Sequence, residues 1–366
     1  MKNLVQELAA SHEDWLSHLE NDLKISAARD GDLVSLKYNQ IESPMHEPIV
    51  QQCRGMVVDV KRRQTIAWPY NKFWNYGEAL ADPIDWATAR VQEKLDGSLM
   101  ILHVRDGIWS VASSGHPTAG GSFGADTRTF RDAFWSVMSS QEIDTDALDS
   151  RATYMLELCD APNRVVVRHE APRLVLHGAR WLEDGAEFTP MELHNAGNAA
   201  GLEVVREFGL GSIEQCLAAA DALDPLKQEG FVVVDAEFRR VKIKSPRYVT
   251  LHHLKGEATP RRSIELWQSG EAGELLVHFP EFRLIVEPIH DKLDELARRA
   301  AFEHEQAIKC TTDRKGYASL AVQLPFSAVM FRMLTDGTSS TDDAKSIMRR
   351  MSLQALERML EAESIR

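Results

Sequence analysis

Lys94 is the residue whose type and surroundings most directly suggest covalent chemistry. Asp96 and Gly97 follow it, and this turn lies between segments 91–93 and 99–104, whose composition predicts β-strands. Gly97 allows a tight turn and a close approach to a ligand, so Lys94 would project from a strand end into a pocket as a nucleophile. A Lys-x-Asp-Gly turn also occurs as a solvated hairpin, so further residues are needed to support the chemistry.

Further segments along the chain carry the residue types that lysyl-nucleotide chemistry needs. Cations would hold phosphate groups, and carboxylates would bind hydroxyl groups and metal-bound water. In chain order the segments are 53–59 with 71–75, 153–158, 229–235 and 241–244. Their charged candidates are Arg54, Lys72, Glu157, Glu229, Lys242 and Lys244.

With these segments in this order, the chain resembles the covalent nucleotidyltransferases and, among them, the phage-type ATP-dependent RNA ligases of the RNA ligase 1 kind. The resemblance extends from about Tyr38 to Lys244. Lys-x-Asp-Gly at Lys94, Glu-Gly-Phe-Val at Glu229 and Lys-x-Lys ending at Lys244 carry it. The Arg-Gly pair at Arg54, followed by Lys-Phe-Trp-Asn, narrows it to this type of ligase.

The resemblance implies an ATP-dependent RNA ligase that joins 5′-phosphate and 3′-hydroxyl RNA ends. AMP would pass from ATP to Lys94 and then to the 5′-phosphate, and the 3′-hydroxyl would displace it. Such an enzyme would act in RNA repair, for example on a cleaved tRNA. Its cofactors would be ATP, as the AMP donor, and Mg²⁺ or Mn²⁺.

The resemblance also implies a role for each candidate residue. The catalytic set is Lys94, Asp96, Glu229, Lys242 and Lys244. The nucleotide-binding set is Tyr38, Arg54, Lys72, Glu93, Gly97 and Glu157. The metal set, acting mostly through water, is Asp96, Glu157 and Glu229. Arg164 is a further candidate for contact with the substrate, with a surface arginine as the equal alternative.

A lysine nucleophile poses a charge problem that predicts a metal. An ordinary lysine has a pKa of about 10.4 and is protonated at neutral pH, where it cannot attack phosphorus. Burial and neighbouring cations such as Lys242 and Lys244 favour the neutral amine, whereas nearby carboxylates oppose it. A divalent cation among those carboxylates would remove this opposition.

Composition bounds the class of protein. With 366 residues, 44% of them hydrophobic, the chain can bury enough apolar surface for two domains. The absence of a long apolar run and of a signal-peptide pattern predicts a soluble, cytoplasmic protein without a membrane partner, which we expect to be a monomer. The cysteines are far apart, which argues against a disulfide framework or a cysteine zinc site.

The net charge of −13 argues against a long nucleic-acid groove, but basic residues are concentrated in two places. Cations dominate residues 54–72 and are unopposed in residues 239–247. Such patches suit a confined phosphate site. For Arg62 and Arg63, solvated strand edges remain the alternative.

Periodicity predicts an α+β fold: an antiparallel-sheet nucleotidyltransferase domain with an ATP-grasp-like ligase core, followed by an all-helical domain. The first thirty residues read as helical, and helical insertions are expected at 127–139 and 191–201. We expect an adenylyltransferase domain at 1–254 and a helical RNA-specificity domain at 255–366, with the boundary near 254–258.

Two other readings stay open. A DNA ligase or capping enzyme would use the same lysyl-nucleotide chemistry but would carry a β-barrel after the last Lys-x-Lys strand. A catalytically silent nucleotide- or RNA-binding module would not need the full set of charged residues. The chain shows no P-loop kinase or phosphatase motif, so any end healing would come from a separate kinase or phosphatase.

Overall fold

A computed structural model describes residues 1–124, 127–163, 165–256, 259–270, 272–273, 276 and 282–364. The chain forms two compact units, Met1–His252 and His253–Arg366. The predicted boundary at 254–258 includes residues 257 and 258, which lie outside the described residues. Within the described ranges, no helix is long and apolar enough to cross a membrane.

The described part of the first unit contains three sheets built from short strands. The strands are β1 (Ile25–Asp30), β2 (Leu33–Tyr38), β3 (Arg54–Asp59), β4 (Gln64–Ala67), β5 (Trp74–Asn75), β6 (Arg90–Lys94), β7 (Ser98–Arg105), β8 (Ile108–Ser113), β9 (Ala152–Cys159), β10 (Arg173–Trp181), β11 (Glu203–Val204), β12 (Glu207–Phe208), β13 (Gly230–Val234) and β14 (Arg240–Lys244).

The first sheet has the order β1-β2-β3-β4 and is antiparallel throughout. Its apolar side packs with α1 (Leu4–Ser11), α2 (Trp15–Asn21) and α3 (Pro48–Gln52) around buried Trp15 and Trp68. The prediction that the first thirty residues are helical is wrong for their last part. Residues 25–30 form β1 instead, because they pair with β2 across a turn in which Gly31 takes a positive φ of 58°.

The second sheet has the order β11-β10-β9-β7-β8. It packs with α4 (Phe130–Ser140) and α5 (Pro190–Ala200) around a core that includes Phe134, Tyr154 and Leu193. Both helices begin with a threonine capping box, and their positions confirm the helices predicted at 127–139 and 191–201.

The third sheet has the order β12-β6-β13-β14-β5 and carries most of the predicted catalytic residues. β13 lies between β6 and β14, and its Gly230 pairs with Lys94 on one side and with Lys244 on the other. A Cβ on Gly230 would clash with the backbone carbonyl of Ile243, so only glycine allows this approach. The helix α6 (Ile213–Ala222), which was not predicted, packs against this sheet.

The regular secondary structure among the described residues of the second unit is helical. α7 (Pro246–Gly256) contains the division point, and the remaining helices are α8 (Pro260–Ser269), α9 (Arg283–Cys310), α10 (Arg314–Ala321), α11 (Ser327–Asp336), α12 (Thr341–Arg349) and α13 (Leu353–Ser364). Leu293, Leu296 and Ala300 are buried along one face of α9, as their helical spacing predicts. Mainly antiparallel sheets, with one parallel edge pair in each of the second and third sheets, followed by helices confirm the predicted fold class.

Candidate active site

The turn that carries Lys94 is fixed by close backbone contacts. Lys94 is the last residue of β6, and Gly97 begins the return into β7. A Cβ on Gly97 would clash with the carbonyl oxygen of Leu158, and the Gly97 backbone N–H donates to Glu157 Oε1 at 3.1 Å. The turn is therefore held against β9, so Lys94 and Glu157 share one site.

Asp96 holds the same turn in place through hydrogen bonds to its carboxylate and to its backbone carbonyl. One of its carboxylate oxygens accepts from the backbone N–H groups of Val166 and Val167 at 2.7 and 2.6 Å, and the other accepts from the Tyr248 hydroxyl at 2.8 Å. His169 Nε2 donates to the Asp96 backbone carbonyl at 2.7 Å. These bonds give Asp96 a positioning role in the described structure, while its metal role stays a prediction.

Glu229 joins the two lysines that the sheet register brings together. Its Oε2 lies 2.6 Å from Lys94 Nζ, and its Oε1 lies 3.0 Å from Lys244 Nζ. The Glu229 side chain is only 3% exposed, so both ion pairs lie largely out of solvent. The carboxylate therefore holds the candidate nucleophile beside a second cation.

Lys242 and Lys244 leave β14 on one face because strand side chains alternate. Ile243 between them is buried in the core. Burial, together with the neighbouring charges of Lys72 and Arg54, lowers the pKa of Lys242 to about 7. The neighbouring cations thus disfavour the charged form of Lys242 when no ligand is bound. A bound anion would offset their charge, so the pocket suits an anion.

Arg54 is a cation with unused hydrogen-bonding capacity. Its guanidinium carbon lies 5.0 Å from the centre of the Phe73 ring, and its Nη1 is buried without a hydrogen-bond partner among the described residues. A buried donor of this kind is costly unless a ligand accepts from it. Phosphate oxygens would satisfy it.

Lys72 and Tyr38, both predicted to bind the nucleotide, lie together. Lys72 Nζ is 4.7 Å from the centre of the Tyr38 ring and donates to Gln40 Oε1 at 3.2 Å. Lys72 also contributes to the lowered pKa of Lys242, which places its charge near that lysine.

Glu157 is a carboxylate that the pocket holds close to neutrality. Burial raises its pKa to about 7, with the Lys94 charge opposing and the Glu229 charge reinforcing the shift. Its second oxygen, Oε2, lies 3.7 Å from His177 Nε2. That oxygen therefore faces the His177 ring, which also lines the pocket.

Glu93 is separated from the other predicted carboxylates. It precedes Lys94 on β6, so its side chain leaves the opposite face of the strand. Its carboxylate oxygens lie 3.9 Å from Arg173 and 3.6 Å from Arg206. The structure brings the side chains of Lys94, Glu157 and Glu229 together. It pairs the Glu93 carboxylate with arginines, although Glu93 also lines the cavity around Lys94.

The residues around Lys94 enclose a cavity of about 140 Å³. It is lined by Arg54, Tyr70, Phe73, Gln92, Glu93, Lys94, Leu95, Leu99, Glu157, His177, Val232, Arg240 and Lys242. Sequence reasoning missed Tyr70, Phe73, Gln92 and His177 as site residues. Gln92 had a detectable signal, since it lies two positions before Lys94 on the same strand face.

Arg240 was counted only as part of a basic patch, but the structure makes it a support of the pocket wall. Its guanidinium binds Glu187 through Nη1 at 3.0 Å and Nη2 at 2.5 Å, and it lies 4.3 Å from the centre of the Tyr70 ring. Glu187 also accepts from Arg180 at 2.8 Å. One buried carboxylate thus holds two guanidinium groups in place.

The donor set suits a hydrated divalent cation better than a directly bound one. No group of three or more His, Cys, Asp or Glu side chains among the described residues is arranged to hold a metal ion. Glu157 Oε2 and the Glu229 oxygens are hard donors that could contact the water shell of Mg²⁺.

Arg164, the candidate for contact with the substrate, lies outside the described residues.

Comparison with known proteins identifies the class of protein that has these sheets and this lysine pocket. A family profile described as RNA ligase matches residues 52–248, a range that includes Lys94, Glu157, Glu229, Lys242 and Lys244. The chain belongs to this RNA ligase family, which confirms the resemblance inferred from its motifs.

Two curated relatives are similar along much of the chain. A putative bifunctional polynucleotide kinase/RNA ligase of Autographa californica nuclear polyhedrosis virus is 26% identical over 336 residues, covering 85% of this chain and 46% of that protein. An RNA ligase of Rhodothermus phage RM378 is 24% identical over 308 residues, covering 68% of this chain and 70% of that protein. The chain thus spans about half the length of the viral relative.

Solved structures of Naegleria gruberi RNA ligase are also similar. A mutant with ATP and Mn is 18% identical with a TM-score of 0.38, covering 45% of this chain and 52% of that chain. The form with PPi is 18% identical with a TM-score of 0.37, covering 53% and 67%.

Proposed function

We propose that this protein is an ATP-dependent RNA ligase that joins 5′-phosphate and 3′-hydroxyl RNA ends. The observation that carries the proposal is the placement of Lys94 Nζ at 2.6 Å from buried Glu229, in a pocket shared with Arg54 and Lys242. A lysine so placed, with cations around it, fits nucleophilic attack on a phosphate. Membership of the RNA ligase family supports RNA as the substrate.

In the first step Lys94 Nζ attacks the α-phosphorus of ATP. A P–N bond forms, the bond between the α-phosphorus and the bridging oxygen breaks, and pyrophosphate leaves. Glu229 Oε2 is the acceptor within reach of the proton that Nζ must lose. Lys242 and Lys244 would stabilise the charge that develops on the α-phosphate oxygens, and Arg54 and Lys72 would hold the departing phosphates.

A divalent cation would be held through its water shell by Glu157 and Glu229. When bound, it would offset the carboxylate charge that opposes a neutral lysine. The residues of the chain then have separate tasks: Glu157 orients the nucleotide, Asp96 fixes the turn, and the basic residues hold phosphate.

In the second step an oxygen of the RNA 5′-phosphate attacks the α-phosphorus, and the P–N bond to Lys94 breaks. In the third step the 3′-hydroxyl attacks the 5′-phosphorus, the phosphodiester forms and AMP leaves. We further propose repair of broken tRNA as the setting, with the helical region 255–366 selecting the RNA. The name of the viral relative combines a polynucleotide kinase with an RNA ligase, which supports a separate end-healing enzyme as a partner here. Because ATP and RNA would be its substrates, we propose that the enzyme is cytoplasmic. We also propose that it acts as a monomer.

Self-labelling tests this function most directly. Incubation with α-labelled ATP and Mg²⁺, without RNA, should place a label on the protein that resists denaturation. Lys94→Ala should abolish the label, whereas Lys61→Ala, at an exposed position, should retain it. Labelling of Lys94→Ala would refute the nucleophile assignment, and equal labelling from GTP or NAD would favour a capping or DNA ligase chemistry.

A further inference from the structure

His177 is turned into the pocket by an irregularity of β10. Leu176 pairs with Leu156 and Gly178 pairs with Met155, so His177 is an extra residue without a partner on β9. A β-bulge of this kind redirects a side chain and is frequent beside active sites. The imidazole lines the same cavity as Lys94 and Glu157.

Tyr70 fixes the orientation of the His177 ring. The Tyr70 hydroxyl donates to the His177 carbonyl oxygen at 2.7 Å and lies 3.4 Å from Nδ1. The ring centres are 5.6 Å apart. Gly178 makes room for this contact, because a Cβ at that position would clash with the Tyr70 hydroxyl. The arrangement is therefore built by the bulge, the glycine and the tyrosine together.

His177 Nε2 is an acceptor without a donor. The Tyr70 proton is used by the His177 carbonyl, so the ring hydrogen belongs on Nδ1, where the Tyr70 oxygen can accept it. Nε2 is buried, has no hydrogen-bond partner among the described residues, and lies 3.7 Å from Glu157 Oε2.

We propose that His177 Nε2 and Glu157 Oε2 form a paired acceptor for the two ribose hydroxyls of ATP, so that His177 determines selection of a ribonucleotide. This inference rests on the proposed function, since it assigns a contact to the same nucleotide. A ribose diol offers two neighbouring donors to two neighbouring acceptors. A deoxynucleotide would leave one buried acceptor without a partner, which is the condition under which a site rejects an analogue most strongly.

Replacing His177 by glutamine and by asparagine distinguishes a role in binding the ribose from a structural role. In His177→Gln the amide oxygen can reach the position of Nε2, whereas in His177→Asn the amide reaches only the position of Nδ1. The full-length proteins are labelled with α-labelled ATP, 2′-deoxy-ATP and 3′-deoxy-ATP, and rate and KM are measured for each. His194→Asn, at an exposed position on α5, is the control.

The unaltered protein and His194→Asn should favour ATP over both deoxynucleotides. His177→Asn should lose about two- to tenfold in efficiency with ATP and nothing further with the deoxynucleotide that lacks the hydroxyl bound by Nε2. His177→Gln should restore much of the preference. An equal loss for all three nucleotides in both variants would assign His177 a structural role and overturn the inference. Failure of ATP to label the unaltered protein would instead overturn the proposed function, and this inference with it.

Discussion

The Tyr248 hydroxyl donates a hydrogen bond of 2.8 Å to Asp96, linking α7 to the turn that carries Lys94. Tyr248 is 2% exposed and Asp96 is 4% exposed, so the bond is shielded from water. It therefore ties the position of the proposed nucleophile, Lys94, to a helix that follows the last strand of the third sheet.

Tyr248→Phe should lower both stability and the rate of self-adenylylation. The change removes one of three hydrogen bonds to a buried carboxylate, at a cost of about 1–3 kcal/mol. Urea unfolding and the rate of labelling from α-labelled ATP measure the two effects. Tyr76→Phe, at a half-exposed position, should change neither. Unchanged labelling in folded Tyr248→Phe would show that this bond does not position the turn.

Lys244→Ala should abolish adenylylation while the protein stays folded. Lys244 shares Glu229 with Lys94, and loss of its charge would remove stabilisation of the transition state, at least about a hundredfold in rate. Labelling rate and circular dichroism measure the outcome, and exposed Lys61→Ala is the matched control. Full activity in Lys244→Ala would exclude a catalytic role for this lysine.

Gly97→Ala should destabilise the turn and reduce adenylylation at least about tenfold. The added Cβ would clash with the Leu158 carbonyl oxygen, and such overpacking costs about 1–3 kcal/mol. Gly115→Ala is the control, because a Cβ at Gly115 meets nothing within 4 Å. Equal unfolding midpoints and labelling rates for the two variants would contradict this account of the turn.

Glu157→Gln should change how stability depends on pH. The folded pKa of about 7 lies above the ordinary value of 4.5, so the folded protein binds more protons between these values. The contribution of Glu157 to stability is therefore full below pH 4.5 and is lost as pH rises through 7, by at most about 1.4 kcal/mol per pH unit.

The free energy of unfolding, measured in urea across this pH range, checks the prediction. Its fall with rising pH should be smaller in Glu157→Gln than in the unaltered protein, because glutamine does not titrate. Glu183→Gln, at an exposed position, should follow the unaltered protein. Parallel curves for Glu157→Gln and the unaltered protein would show that Glu157 does not titrate in this range.

A protein shortened to residues 1–256 should retain self-adenylylation and some joining of generic RNA. The proposed chemistry uses residues up to Lys244 and the Tyr248 bond. Residues 255–366 carry 16 Lys and Arg against 18 Asp and Glu, so they are poorly suited to gripping RNA by charge and would recognise its shape instead. Labelling and competition between linear RNA and a broken anticodon loop measure the effect. A folded, truncated protein with unchanged preference would refute the specificity role.

Local sequence was informative where strand alternation and turn chemistry decide the outcome. Lys242 and Lys244 share a face because two strand positions separate them, and Ile243 is buried for the same reason. Gly97 could be assigned to a close approach from its place after Asp96. The family resemblance added the pairing of these segments with Glu157 and Glu229, which are far away in the chain.

Contacts that depend on the packing of distant segments could not be predicted from the sequence. The bonds from Val166 and Val167 to Asp96 require a loop to fold over the turn, and no pattern in that loop indicates it. The bulge at His177 shifts the alternation that a regular strand would have, so counting positions would misplace the side chain. The helical spacing before Asp30 likewise could not reveal that β2 captures residues 25–30 as a strand.

The low pKa of Lys242 has a consequence for chemical modification of this protein. Near pH 8 much of this amine is neutral. Acylating reagents react with neutral amines, so the residue they reach first in the pocket is Lys242. Inactivation by such a reagent would therefore report on Lys242, which we propose to bind phosphate, and only nucleotide transfer itself would mark Lys94 as the proposed nucleophile.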